Sequence, residues 1–152
     1  MEWGARALGN RSILANPCSP YTLENLNTFL KQREPHRSYG VSVCLEDAPA
    51  YFDGPPASPF MEYEFDTKDP DLFRPLMPVK RTRLRVQTVD HAPVLFRRLL
   101  KMFGQASGVP VLVNTSFNGF HEPIVCTPRD AVRVFYGTGL DMAVIGNFIL
   151  EK

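Results

Sequence analysis

The clearest periodicities lie in the last third of the chain. Residues 110–113 (PVLV) form a short continuous apolar run of the kind found in a strand buried on both faces, and the run is expected to stop in a polar turn, NTSFNGF. Thr127, Pro128 and Asp130 then supply an N-cap, a first-turn proline and an early acid for a helix through Ala131, Val132, Val134 and Phe135. Gly137 and Gly139 end that helix, and residues 142–145 and 148–150 read as two strands joined at Gly146-Asn147, a hairpin-compatible pair.

Earlier, residues 12–15 suggest a strand, and Ser19-Pro20 offers a cap and a preset first helical residue. The following helix carries Leu23, Leu26, Phe29 and Leu30 on one stripe, with Glu24, Asn25 and Lys31 nearer its edges. Residues 41–44 predict a strand and 46–52 a short helix. The DGPPASP stretch at 53–59 is a loop. Beyond it, residues 60–65 and 84–89 have β-type composition, and 91–103 has a helical period through Val94, Leu95, Leu99 and Phe103. Strands alternating with helices predict a mixed α/β (α+β) fold, a twisted mixed sheet flanked by helices, in a single domain.

Composition narrows the function classes. The chain has 152 residues, a common size for one domain, and 44% hydrophobic with 22% charged residues is an ordinary globular balance. The 17 Lys plus Arg against 16 Asp plus Glu give a net charge of +1, so global charge supports neither nucleic-acid nor membrane binding, and any anion site is local. No apolar run approaches the roughly 20 residues needed to span a bilayer. Cys18, Cys44 and Cys126 are widely spaced and read as reduced thiols, which points to the cytoplasm; with His36, His91 and His121 they show no ligand spacing, so no transition metal is expected.

The basic residues cluster. Arg6 and Arg11 bracket GARALGNR; Lys31, Arg33 and Arg37 sit in KQREPHR; Arg81, Arg83 and Arg85 alternate and share one face if their segment is a strand. Two readings stay open for the alternating set, a solvated strand face or a phosphate-binding face. For KQREPHR, a helix C-terminus accounts for Lys31 and Arg33 but not for Arg37 beyond the Glu34-Pro35 break. The alternative is a turn that brings several cations round one polyanion. Asn114, Thr115, Ser116 and Asn118 offer amide and hydroxyl donors suited to phosphate or a planar amide, although turns favour Asn and Ser on conformational grounds alone. There is no Walker loop, nucleophile elbow or Cys/His nucleophile pair.

MEWGARALGNRSILANP (1–17), VLVNTSFNGFHEPIVCTPRDAV (111–132) and TGLDMAVIGNFIL (138–150), with LKQREPHR and RVQTV in the same order, resemble the C-terminal region of NodU/CmcH-type O-carbamoyltransferases. The resemblance implies that residues 1–152 are the YrdC-like domain, which binds ATP with Mg²⁺ and carbamoyl phosphate and forms carbamoyl adenylate. Transfer to a hydroxyl acceptor then falls to a separate N-terminal metal-binding domain, acting in cis or in trans; a homodimer is left open. Met1 is either a true start or an internal methionine of a longer protein. Carried onto matching positions, the family's catalytic residues resemble Lys31, Arg37 and Arg6, and its substrate and nucleotide contacts resemble Arg85, Asn114 and Ser116, with Arg11 and Asn118 as further members.

One segment departs from the family. Where it reads close to REPFRPFAPSV, this chain has REPHRSYGVSV at 33–43, and Ser38 and Gly40 are expected to leave the turn softer. Two other functions compete: a threonylcarbamoyl-adenylate synthase-like enzyme sharing the fold, and a non-catalytic module that binds a nucleotide or docks on a transferase.

Overall fold

A computed structural model describes residues 7–77, 81–91 and 93–152. Its organising element is a six-stranded sheet in the order β1-β6-β2-β5-β4-β3. These strands are β1 (Ser12–Ala15), β2 (Gly40–Cys44), β3 (Phe52–Asp53), β4 (Glu64–Thr67), β5 (Arg83–Val89) and β6 (Val111–Ser116). Only β2 and β5 pair in parallel; the other neighbours are antiparallel, giving the mixed sheet that the alternating pattern predicts. A separate hairpin, β7 (Met142–Ile145) with β8 (Phe148–Glu151), turns at Gly146, where φ is +60° and glycine avoids the steric cost. Among the described residues the fold is mixed α+β in a single domain, and no helix is long and apolar enough to cross a membrane.

Strand alternation divides the core into two layers. Val41 and Val43 of β2, Leu84 and Val86 of β5, and Val111 and Val113 of β6 join one cluster with Leu26, Leu30, Phe52, Phe73 and Leu76. On the opposite face Cys44, Val89 and Leu112 meet Phe96 and Leu100 of α3 (Val94–Ser107). α3 packs over β2 and β6, and ends at Gly108 in the left-handed region (φ +82°), a common helix stop. α4 (Pro128–Gly137) begins at the N-cap and early acid that its sequence predicts, here closed into a capping box: Thr127 Oγ1 accepts from the Asp130 amide while the Asp130 carboxylate accepts from the Thr127 amide. Its Ala131 and Val134 pack with Val125 and Ile145, which ties the hairpin to the domain.

Several boundaries and faces differ from the sequence pattern. The helix after Ser19-Pro20 starts at Thr22, with Tyr21 as its cap residue; α1 (Thr22–Glu24) runs straight into a π-helical stretch, Asn25–Leu30. The wider π turn moves the stripe: Leu26 and Leu30 are buried, Phe29 is 62% exposed, and Lys31 is buried rather than at an edge. The 46–52 helix shrinks to α2 (Ala48–Tyr51), because Phe52 is already extended in β3. The 60–65 strand starts at Glu64, since Met61 takes a left-handed φ of +57° that breaks an extended run. β6 does not stop at Val113: pairing with β1 carries it through Ser116. In α3 the buried face is Phe96 and Leu100, while Val94, Leu95 and Leu99 are exposed, and in α4 Val132 lies off the buried face.

The reassigned α3 face has a direct test. Leu100→Ala is expected to destabilise the chain by about 2–5 kcal/mol through transfer and cavity costs. Leu99→Ala is expected to stay within about 0.5 kcal/mol, as surface changes usually do. Denaturant melts of both variants check the assignment; equal losses would reject it.

Candidate functional site

The α3 face of the sheet changes character along its strands. Where α3 covers it, the residues are Cys44, Val89 and Leu112. One step along each strand on the same face come Ser42, Gln87 and Asn114, all buried and polar. Burial without partners would cost each of them a few kcal/mol, so they bond to one another. Gln87 Nε2 donates to the Leu8 carbonyl at 3.2 Å, and a carbonyl only accepts, so that contact orients the Gln87 amide. Gln87 Oε1 then accepts from Ser42 Oγ at 2.7 Å and Asn114 Nδ2 at 3.0 Å, and Asn114 Nδ2 also donates to Ser42 Oγ at 2.9 Å. The Asn114 Nδ2 is thereby committed to the sheet, and its Oδ1 is what the residue can offer a ligand.

Beyond that row the face opens into a cleft of about 510 Å³. Gly40 of β2 stands opposite Asn114 and lies beside Arg85 of β5, which in turn faces Glu64 of β4, so neighbouring strands lay out the floor. Gly40 leaves room for the Met61 side chain: a Cβ there would fall 2.2 Å from Met61 Sδ and 3.2 Å from the Arg85 carbonyl. Arg33, Arg37 and Arg81 line the cleft too, with His36 and Ser116, and Glu64 is the only carboxylate among the described lining residues. Arg81 reaches across to Ser38 Oγ at 3.4 Å. Four arginines thus line one concave surface of a chain whose net charge is +1, so positive charge is concentrated there rather than spread over the molecule.

Of the residues singled out in the sequence, the structure brings Arg37, Arg85, Asn114 and Ser116 together on this cleft. Lys31, Asn118 and Arg11 are not among its lining residues and form a frame behind the 114–118 segment. Lys31 Nζ donates to the Ser116 carbonyl (2.6 Å), the Asn118 carbonyl (2.9 Å) and Asn118 Oδ1 (2.7 Å). Asn118 Nδ2 donates onward to the Gly119 and Glu122 carbonyls, and Arg11 Nη1 donates to the Val125 carbonyl at 2.8 Å. Arg6 lies outside the described residues. Of the alternating arginines, Arg81 and Arg85 line the cleft, whereas Arg83 is exposed and pairs with Asp66. Arg33 therefore does more than balance a helix end.

The turn carrying Arg33 and Arg37 is not left to the flexibility of Ser38 and Gly40. Asn27, fully buried in the π-helical stretch, donates from Nδ2 to the Pro35 carbonyl (3.1 Å) and the Arg37 carbonyl (2.9 Å). Its Oδ1 accepts from Arg33 Nε (2.9 Å) and from the Tyr39 hydroxyl (2.8 Å), and the Arg33 guanidinium lies 4.4 Å over the Tyr39 ring. Burial pushes the Tyr39 phenol up to about 12, so it stays a donor at neutral pH. Sequence reading passed over Asn27, Ser42 and Gln87, yet each carried a signal. Asn27 is four residues after Leu23 and three before Leu30, on the apolar stripe, and Ser42 is the one hydroxyl in the apolar GVSVC run, with Gln87 between Val86 and Thr88 in a neighbouring strand.

The only cluster of metal-type ligands among the described residues is Cys44, Glu46 and Asp47. Its acids are taken up by ion pairs: Glu46 with Arg97 and Lys101, and Asp47 with Lys101 at 2.7 Å. These pairs, chiefly the Arg97 bond, pull the Glu46 carboxyl down to about 2. Burial raises the Cys44 thiol, which makes it a poorer thiolate ligand.

The chain belongs to the carbamoyltransferase C-terminus family, whose model matches residues 1–152. It is 38% identical to nodulation protein NolNO of Sinorhizobium fredii, over 99% of this chain and 23% of that protein. It is 36% identical to nodulation protein NolO of Bradyrhizobium diazoefficiens, over 99% of this chain and 28% of that protein. It is 35% identical to the 3'-hydroxymethylcephem-O-carbamoyltransferase of Amycolatopsis lactamdurans, over 96% and 28%. The chain thus spans about a quarter of the length of the curated relatives it matches, and corresponds to the C-terminal domain of NodU/CmcH-type enzymes.

Burial first, and then the charge of Arg33, lower the Lys31 pKa from 10.5 to about 8. At neutral pH the amine is still charged and fills its three acceptors. Below about pH 8 both folded and unfolded chains hold the proton and the burial cost stands in full. Between about 8 and 10.5 the unfolded chain binds more protons, so this group makes stability rise with pH. Wild type is therefore expected to gain roughly 1–2 kcal/mol relative to Lys31→Met between pH 7.5 and 9.5, read from paired denaturant melts. A constant difference would place the lysine pKa elsewhere.

Proposed function

We propose that the cleft activates a carbamoyl group on ATP, forming carbamoyl adenylate for transfer to a hydroxyl acceptor by another part of a longer enzyme or by a partner chain. The observation that carries this reading is the convergence of Arg33, Arg37, Arg81 and Arg85 with Asn114 and Ser116 on one cleft in a member of this family. The cephem O-carbamoyltransferase among the relatives supports the class of group transferred.

The chemistry asks for what these residues supply. Carbamoyl phosphate gives up its phosphoryl group to water as orthophosphate, leaving carbamate. A carbamate oxygen then bonds to the α-phosphorus of ATP, the bond from that phosphorus to the bridging oxygen breaks, and pyrophosphate leaves. Each partner is an anion, so the dominant requirement is to neutralise charge while holding the pair in line. Planar guanidinium forks suit the phosphate oxygens. The Asn114 Oδ1, oriented by Gln87 and Ser42, suits the N–H of a carbamoyl amide, which no phosphate can offer. No protein nucleophile is needed. Mg²⁺ bound with ATP would supply further charge neutralisation, and Glu64 is the described cleft residue whose carboxylate would help hold it. Lys31, Asn118 and Arg11 hold the 114–118 segment in place.

The chain is expected to release pyrophosphate only when ATP and carbamoyl phosphate are both present, and to carbamoylate no acceptor by itself. Arg37→Ala is expected to weaken ATP binding roughly 10- to 100-fold, the loss of a charge-assisted phosphate contact of about 1.5–3 kcal/mol. Its ion pair with Glu34 is solvent-exposed and adds little to the fold. Pyrophosphate assays and calorimetric titration check both outcomes; unchanged ATP affinity in Arg37→Ala would sink the assignment. Threonine-dependent pyrophosphate release would indicate threonylcarbamoyl-adenylate synthesis, and ATP binding without turnover a non-catalytic module.

A further inference from the structure

We infer that Asn27 is a positioning residue for anion binding: from inside the π-helical stretch it sets the 33–39 turn so that Arg33 and Arg37 are presented together to one polyanion. The inference rests on the nucleotide reading of the cleft, and it concerns a residue that touches no ligand.

The geometry is unusually complete for one side chain. All four hydrogen-bonding capacities of the carboxamide are used, two given to the Pro35 and Arg37 carbonyls and two taken from Arg33 Nε and the Tyr39 hydroxyl. These partners span the turn from its first cation to its last buried anchor. Arg33 also gives its backbone N–H to the Asn27 carbonyl at 2.9 Å, so the residue holds the start of the turn twice. Fixing Nε of Arg33 and stacking the guanidinium on Tyr39 commits one edge and one face, and leaves the Nη groups as the end for a ligand. Arg37 is fixed through its carbonyl, while its guanidinium lines the cleft and makes a weak, solvent-exposed pair with Glu34 at 3.5 Å. Two like charges lining one cleft repel one another in the empty state. A buried amide with every bond made is a neutral means of holding them there, and an acidic residue in that role would compete with the phosphate for the same cations.

Chemistry decides between replacements. Asn27→Ala removes all four side-chain bonds. Asn27→Asp keeps the acceptors for Arg33 and Tyr39, but sets a carboxylate against the Pro35 and Arg37 carbonyls and adds a negative charge. The full chain is compared with both variants by amide hydrogen exchange and by titration of ATP and of inorganic tripolyphosphate, each also in an Arg37→Ala background. Expected in both variants are wild-type protection in β2, β5 and β6, exchange at Arg33 and Arg37 faster by at least tenfold, and affinity for both probes lower by at least tenfold. Adding Arg37→Ala to either variant is expected to cost clearly less than the same change costs in wild type. That non-additivity separates positioning from general destabilisation. Should Asn27→Ala fail to fold, Asn27→Asp carries the same comparison. Unchanged exchange across the turn, unchanged affinity, or fully additive losses overturn the inference while wild type still binds ATP. A wild-type chain that binds neither probe overturns the nucleotide reading and the inference together.

Discussion

Everything on the cleft side of this domain depends on how a buried sheet face passes from apolar to polar without leaving an unpaired hydrogen-bonding group. Under α3 the face is Cys44, Val89 and Leu112; beyond it, Ser42, Gln87 and Asn114 close a network anchored on the Leu8 carbonyl. An amide or hydroxyl buried there alone would cost more than a typical hydrogen bond returns. The closed set removes that cost and also fixes each amide by orientation. The helix insulates one half of the face, and the network carries order into the half that opens onto the cleft.

The same economy recurs in the frame behind the cleft. A single segment from Asn27 to Lys31 contributes two buried polar side chains, one bonded to the 33–39 turn and one to the 114–118 segment. Residues on opposite sides of the cleft are thus referred to one short stretch of backbone. Its π-helical winding is part of the arrangement, since it turns Lys31 inward and Phe29 outward.

Much of the fold was legible in the sequence because its signals are local. The Thr127 to Asp130 box, the PVLV run and the Gly146 turn each depend on neighbours within a few residues. What escaped depends on distant partners. Nothing near Ser116 says that β1 will pair with it and extend β6, and nothing in the spacing of Val94, Leu95 and Leu99 says that the sheet will meet Phe96 and Leu100 instead. Half of the candidate site was visible as types of residue, Arg37, Arg85, Asn114 and Ser116 among them. Its division into a lining and a supporting frame was not. KQREPHR separates Lys31, at a helix end, from Arg37 beyond the break, but only tertiary position makes the first a buried strut and the second a cation lining the cleft.

The uneven placement of charge also bears on how ligands arrive. The net charge of +1 gives the molecule a weak field at long range, yet among the described residues four arginines line one concavity with one carboxylate. Low-dielectric walls focus such a field outward from the opening, so capture is steered over about one Debye length, roughly 10 Å at 0.1 M salt, and hardly beyond it. Encounter is thereby fast for a polyanion already near the mouth and ordinary for one in bulk. On the proposed nucleotide reading, the association rate, more than the dissociation rate, responds to ionic strength.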